Sequence, residues 1–261
     1  MLMACVVLKA GRSVPIRRAS CTKNVFEGHR NRNAFEESLL LVLRSMIPED
    51  QQVILLADRG FGRTELARFC QRWGFDYVIR IKPDVWIKSA GYQGELLDYP
   101  VHKGISKLLK GIEYRQKQPA RLNVVIRWVR GLPPRRDECW FLMTSLPSGP
   151  AKISGLYGKR MGIEQLFRDV KNKRNGWSLR DTQISTPDRL DRLMLVLAVA
   201  YILLCGIGLL AMTTRHHSEW SSSKGGLHSL YLIGQIILSR GIRLKPAVAF
   251  AAMLACSEML L

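Results

Sequence analysis

The chain has 261 residues, with 40 Lys and Arg against 21 Asp and Glu and a formal charge of +19. An excess of that size, spread along the chain rather than gathered in a tail, points to a polyanionic partner, either nucleic acid or an anionic membrane surface. The length suits one large domain or a domain with an insertion, and six scattered cysteines with no close pair argue against a zinc site or a disulfide framework; they read as reduced thiols of a cytosolic protein.

The apolar run Met1 to Leu8, too short and too poor in basic residues for a signal peptide, is followed by a turn at Lys9 to Ser13 and a second short strand, Val14 to Arg18. The pair predicts a hairpin whose second strand lies at a sheet edge, because Pro15 cannot donate to a ladder. After a polar, basic stretch from Cys21 to Arg32, Asn33 opens a helix with Glu36 three residues on, close to a capping box. Leu39, Leu40 and Leu43 form its apolar side and Pro48 ends it.

Val53 to Ala57 is a continuous apolar run, expected of a strand covered on both faces. It ends in Asp58-Arg59-Gly60-Phe61-Gly62, and an acid there sits at a strand's carboxyl end, where open α/β sheets place their ligands. A helix over Thr64 to Trp73 is expected to bury Leu66, Phe69, Cys70 and Trp73 and to stop at Gly74, and Phe75 to Ile81 reads as the next strand. From Lys82 to about Ser145 short alternating runs, among them Val124 to Val129 and Glu138 to Thr144, predict a β-rich insertion. It carries Lys103, Lys107, Lys110, Arg115, Lys117, Arg121, Arg127, Arg130, Arg135 and Arg136, with Trp128 and Trp140 interleaved. Basic strands with aromatic rings suit a nucleic-acid backbone and its bases; a β-subdomain with a solvated basic face has the same pattern.

Tyr157 to Lys171 predicts one amphipathic helix. At roughly 100° per residue, Tyr157, Arg160, Glu164 and Lys171 fall within about 60° of one another, while Ile163, Leu166, Phe167 and Val170 gather opposite. One face would be buried and the other would present a carboxylate flanked by cations; a solvated surface helix shares the pattern. A basic turn, Asn172 to Gly176, follows. Leu193 to Met212 is a 20-residue run without a charge. That length can span a bilayer, but its glycines, and the arginines on both sides that set no orientation, favour a buried core helix. A linker from Thr213 to Gly226, holding His216 and His217 as a solvated pair, leads to apolar helices over Leu227 to Ser239 and Pro246 to Leu260.

A strand-end Asp and a helix-borne Glu, far apart in a basic chain, form the arrangement of a divalent-metal phosphoryl-transfer site, since hard cations take carboxylate oxygens. Tyr157-x2-Arg160-x3-Glu164-x6-Lys171 resembles, in spacing and identity, the signature of DDE transposases of the insertion-sequence-four type, and Ala57-Asp58-Arg59-Gly60 resembles the segment bearing their second catalytic aspartate. The resemblance runs from about Met1 to at least Leu210. It implies an α/β fold: a ribonuclease-H-like core begun by 1–81, a β-rich insertion over 82–150, the rest of the core with the glutamate helix over 151–212, and a linker with C-terminal helices over 213–261. It also implies Mg2+ or Mn2+ bound by Asp58 and Glu164, with Tyr157, Arg160 and Lys171 on the DNA ends; Arg59 and Trp140 join them as expected DNA contacts. The implied partners are transposon-end and target DNA and a second copy of the chain, with no membrane, in the cytoplasm at the bacterial nucleoid. Before Asp58 the sole aspartate is Asp50, poorly placed after Pro48, so the first catalytic aspartate is missing. The expectation is therefore a truncated transposase with impaired cleavage and joining. The alternatives are a DNA-binding remnant without chemistry and a basic membrane-associated protein.

Overall fold

The computed structural model describes residues 2–7, 13–19, 32–116, 119–129, 138–173, 177–214 and 228–240. The turn after Val7, the stretch 20–31, Lys117, Arg130, Arg135, Arg136, residues 174–176, the His216–His217 pair and the helix expected over Pro246 to Leu260 lie outside them. The chain divides into two units, Leu40–Arg160 and Met1–Leu39 with Met161–Leu261. Helix α1, Arg32–Ser45, runs across that division and buries Leu39, Leu40 and Leu43 as its periodicity predicts. Asn33 is not its cap: the helix already includes Arg32, whose Nε donates to the buried Glu36 at 2.8 Å, one turn on.

The Leu40–Arg160 unit is built on a seven-stranded mixed sheet in the order β3-β4-β9-β8-β7-β5-β6. Its strands are β3 Val53–Ala57, β4 Phe75–Arg80, β5 Trp86–Ser89, β6 Tyr92–Glu95, β7 Ser106–Tyr114, β8 Ala120–Val129 and β9 Glu138–Thr144. β3 and β4 are parallel and joined through helix α2, Thr64–Arg72, the expected β-α-β unit. The strands after Arg80 continue the same sheet, because β9 returns to pair antiparallel with β4. β4 has neighbours on both sides, so Tyr77, Val78 and Ile79 are buried. β3 borders the sheet, and Val53 to Leu56 remain partly exposed rather than covered on both faces. In α2 the core side is Leu66, Ala67 and Cys70. Trp73 stays 40% exposed, because the helix has ended at Arg72 and the ring projects beyond its last turn, under the Arg72 guanidinium. Gly74 takes the left-handed conformation (φ 71°) expected of a residue ending a helix.

On one sheet face Val78, Val125 and Leu142 meet Ile153 and Tyr157 of helix α3, Pro150–Gly158. At the amino end of β4 the Ser145 hydroxyl donates to Asp76 (2.8 Å) and accepts from the Tyr77 amide (3.0 Å), tying the β9 exit to the sheet centre.

In the other unit β1 Leu2–Val7 and β2 Ser13–Ala19 form the expected hairpin, with Pro15 opposite Cys5 where the register shifts. Its apolar side meets helix α4, Met161–Lys171, helix α5, Pro187–Thr214, and helix α6, Leu230–Ser239, around Val14, Leu166, Val170, Tyr201, Leu204, Cys205 and Tyr231. Helix α6 starts three residues later than its apolar run suggests, because the Ser229 hydroxyl caps it by accepting from the Leu232 amide. Helices α5 and α6 touch backbone to backbone. A Cβ at Gly208 would lie 2.0 Å from the Leu230 carbonyl oxygen, and one at Gly234 2.1 Å from that of Leu204. Gly208, one of the glycines that weaken the apolar run as a membrane span, is thus where its neighbour docks. α5 is long and apolar enough to cross a membrane. Its carboxyl half is covered, with Tyr201, Leu204, Cys205, Ile207 and Ala211 buried, while Leu195, Val196 and Val199 of its amino half are exposed, so the buried core helix expected over Leu193 to Met212 is found in part.

Candidate functional site at the carboxyl end of the sheet

β3 delivers Asp58 to the carboxyl end of the sheet. Ala57 pairs with Ile79, so the next residue along, Asp58, comes level with Arg80 at the end of β4. Asp58 is exposed and caps the short helical turn Arg59–Phe61, its Oδ1 accepting from the Gly60 amide at 2.9 Å. Gly62 closes the turn against β4, where a Cβ would stand 2.8 Å from the Arg80 carbonyl oxygen. The loop therefore approaches the strand as closely as backbone allows, and Arg59 is left exposed at its outer side.

Side chains two apart on a strand share a face. Arg80 pairs with Leu142, so Arg80, Leu142, Trp140 and Glu138 lie on the face that α3 covers. Arg80 Nη2 donates to Glu138 Oε1, and Trp140 Nε1 donates to Glu138 Oε2 at 3.1 Å. Burial alone would raise the Glu138 pKa. The hydrogen bonds from Arg80 and Trp140 and the charges of Arg80 and Arg59 outweigh it and hold the carboxyl below its usual value. Trp140 stands edge-on to Tyr157, ring centroids 5.0 Å apart, and the Arg160 guanidinium lies 5.7 Å from the Tyr157 centroid. Tyr157 is buried, and its hydroxyl makes no hydrogen bond of ordinary geometry among the described residues. Its pKa is raised, first by desolvation and further by Asp58, against the lowering influence of Arg160 and Arg80. It stays a neutral phenol in the field of one acid and two guanidiniums.

The single helix expected over Tyr157 to Lys171 is two helices. α3 ends at Gly158, its last turn tightened by Lys159 N to Leu156 O and Arg160 N to Tyr157 O bonds, and α4 begins at Met161. Glycine at 158 lowers the cost of ending a helix there, and the two segments bury different faces: Tyr157 goes into the sheet core, while Leu166 and Val170 pack on the hairpin side. The common stripe of four residues is therefore cut. Tyr157 and Arg160 belong with Asp58, Arg59, Arg80, Glu138 and Trp140 in one unit; Glu164 and Lys171 sit two turns apart on the exposed face of α4 in the other. Phe167, expected on the buried side with Ile163, is only partly covered, and the Lys171 ammonium lies 5.1 Å from its ring centroid. Arg80 and Glu138 were not anticipated. Arg80 was legible in principle, as the residue level with an acid at the end of the adjacent parallel strand; Glu138 depends on a pairing between distant strands.

Residues 26–203, more than half of the chain, match the family model described as Transposase DDE domain. The chain belongs to the DDE transposase domain family. No curated protein matches it. The family implies transposition-related activity on a DNA substrate, and its members generally use divalent metal ions. The donor chemistry at Asp58 suits such an ion: an exposed carboxylate on a backbone-fixed turn, of the hard-oxygen type that Mg2+ takes together with phosphate oxygens. Among the described residues no group of three or more His, Cys, Asp or Glu forms a complete cage.

Proposed function

We propose that the chain is a transposase of the insertion-sequence-four type on a ribonuclease-H-like core, directed at strand cleavage and joining at insertion-sequence ends, with both steps impaired because no well-placed aspartate supplies the first of the three acids. The observation that carries this reading is the gathering of Asp58, Arg59, Tyr157 and Arg160 at one end of one sheet, in a chain that matches the family across the same residues. Asp58 and Glu164 are two of the three acids of such a site and would hold Mg2+ or Mn2+, which supplies Lewis-acid stabilisation of the charge developing on the phosphodiester. Arg160, Arg59 and Lys171 bind and orient the DNA phosphates on either side of the scissile bond, as guanidinium forks and ammonium groups do. Trp140 offers its partly exposed ring to an unstacked base. The chain works in the cytoplasm at the nucleoid as a homodimer, each copy holding one end.

The test is metal-dependent nicking of DNA that carries the element's ends. Weak cleavage that requires Mg2+ or Mn2+ and disappears in Asp58→Asn and in Glu164→Gln, with folding unchanged, is the expected result; robust Glu164-dependent cleavage would show that the site is not impaired. DNA binding that persists in both variants with no cleavage under either metal would replace this reading with a non-catalytic DNA-binding one.

A further inference from the structure

Among the described residues Glu138 joins Asp58 as an acid in the group of Arg59, Arg80, Trp140, Tyr157 and Arg160, and it occupies the place where donors converge. Its two carboxylate oxygens take one hydrogen bond each, from the Arg80 guanidinium and from the Trp140 indole, with the Arg59 charge close by. A planar anion with two oxygens between a guanidinium and an N–H donor is what a phosphodiester's non-bridging oxygens reproduce. Arg80 is held firmly, its side chain 21% exposed at the end of a strand paired on both sides, whereas the Glu138 side chain is 55% exposed at the first position of β9. The donors are fixed and the acceptor is the part that is able to leave.

We propose that Arg80 and Trp140 form a seat for a DNA phosphate that the Glu138 carboxylate fills until DNA arrives, so that Glu138 is a displaceable anion holding the seat in shape and setting a threshold for binding. This deepens the reading of the chain as DNA-directed, but it concerns binding alone and requires no cleavage. Displacement exchanges one set of charge-assisted hydrogen bonds for another. It releases Glu138 to solvent, and the phosphate arrives with the counterion release that governs all such contacts.

The test is fluorescence anisotropy of the full chain with a labelled duplex of about 30 base pairs across a salt series. Glu138→Gln keeps the side chain's size and removes its charge; it is expected to tighten binding roughly five-fold with the salt slope unchanged, because the same phosphate is contacted. Glu95→Gln, which removes an exposed acid elsewhere on the sheet, controls for net charge and is expected to shift affinity by less than about two-fold. Arg80→Ala is expected to weaken binding, to reduce the salt slope by about one, and to abolish the gain from Glu138→Gln when the two are combined. Binding by Glu138→Gln that is equal to or weaker than that of the parent chain overturns the proposal, weaker binding marking Glu138 as a support for Arg80 instead. A gain matched by Glu95→Gln, or one that survives Arg80→Ala, overturns it too, as does the absence of DNA binding by every form. Loss of cleavage activity with the affinity pattern intact would sink the catalytic reading and leave this one standing.

Discussion

The two units hold their candidate site residues in opposite ways. In Leu40–Arg160 the functional side chains stand on strand ends and on a helix pressed into the sheet, so that Tyr157 is at once core and site. In the other unit the core is made by Val14, Leu166, Val170, Tyr201 and Tyr231, and Glu164 and Lys171 belong to the outward side of a helix whose inner side does the packing. Stability and site are therefore coupled in the first unit and separable in the second. Mutations should show the difference directly.

The largest expected effects are on folding. Tyr157→Ala empties an aromatic position in the sheet core and should cost about 3–5 kcal/mol, seen as a lower urea midpoint together with lost DNA binding. Tyr157→Phe removes only a buried hydroxyl without an ordinary hydrogen bond and should leave stability within about 1 kcal/mol; any loss of DNA affinity in that variant belongs to the phenol itself. In the second unit Gly208→Val forces a side chain into the Leu230 carbonyl and should destabilise by roughly 3 kcal/mol or more, whereas Glu164→Gln and Lys171→Gln should leave the melting temperature unmoved. A large stability loss from either of the latter would break the comparison.

A smaller effect is expected from Ser145→Ala. It removes the donor to Asp76 and the acceptor for the Tyr77 amide in one step, and should cost about 1–3 kcal/mol by chemical denaturation. Smallest is the Arg80–Glu138 pair. Because the folded-state pKa of Glu138 is lowered, its contribution is fully present above the unfolded glutamate value (about 4.3) and is lost as pH falls through the lower folded value. The stability difference between the parent chain and Glu138→Gln should vanish over that acid range and stay under about 1 kcal/mol at neutral pH, since the carboxylate is half exposed.

Local order was readable where one residue pattern had one solution. The apolar run at Val53, the glycine at 74 and the 3.6-residue spacing of Leu39, Leu40 and Leu43 each produced the element they predict. Asp58 at a strand's carboxyl end followed from the same reasoning. The Tyr157 to Lys171 stretch misled because periodicity carries no information about which body a helix face packs against. Its apolar residues serve two cores, and the helix breaks between them.

The sequence by itself determined the basic charge, the β-α-β unit, the hairpin, the long apolar helix and the motif residues, because these depend on composition and on spacing within a dozen residues. Tertiary structure alone decided that β9 returns beside β4, that Glu138 meets Arg80 and Trp140, that Tyr157 is buried, and that Gly208 and Gly234 let two helices touch. Each of those depends on contacts between segments distant along the chain, whose free energy is gained only when both are already in place.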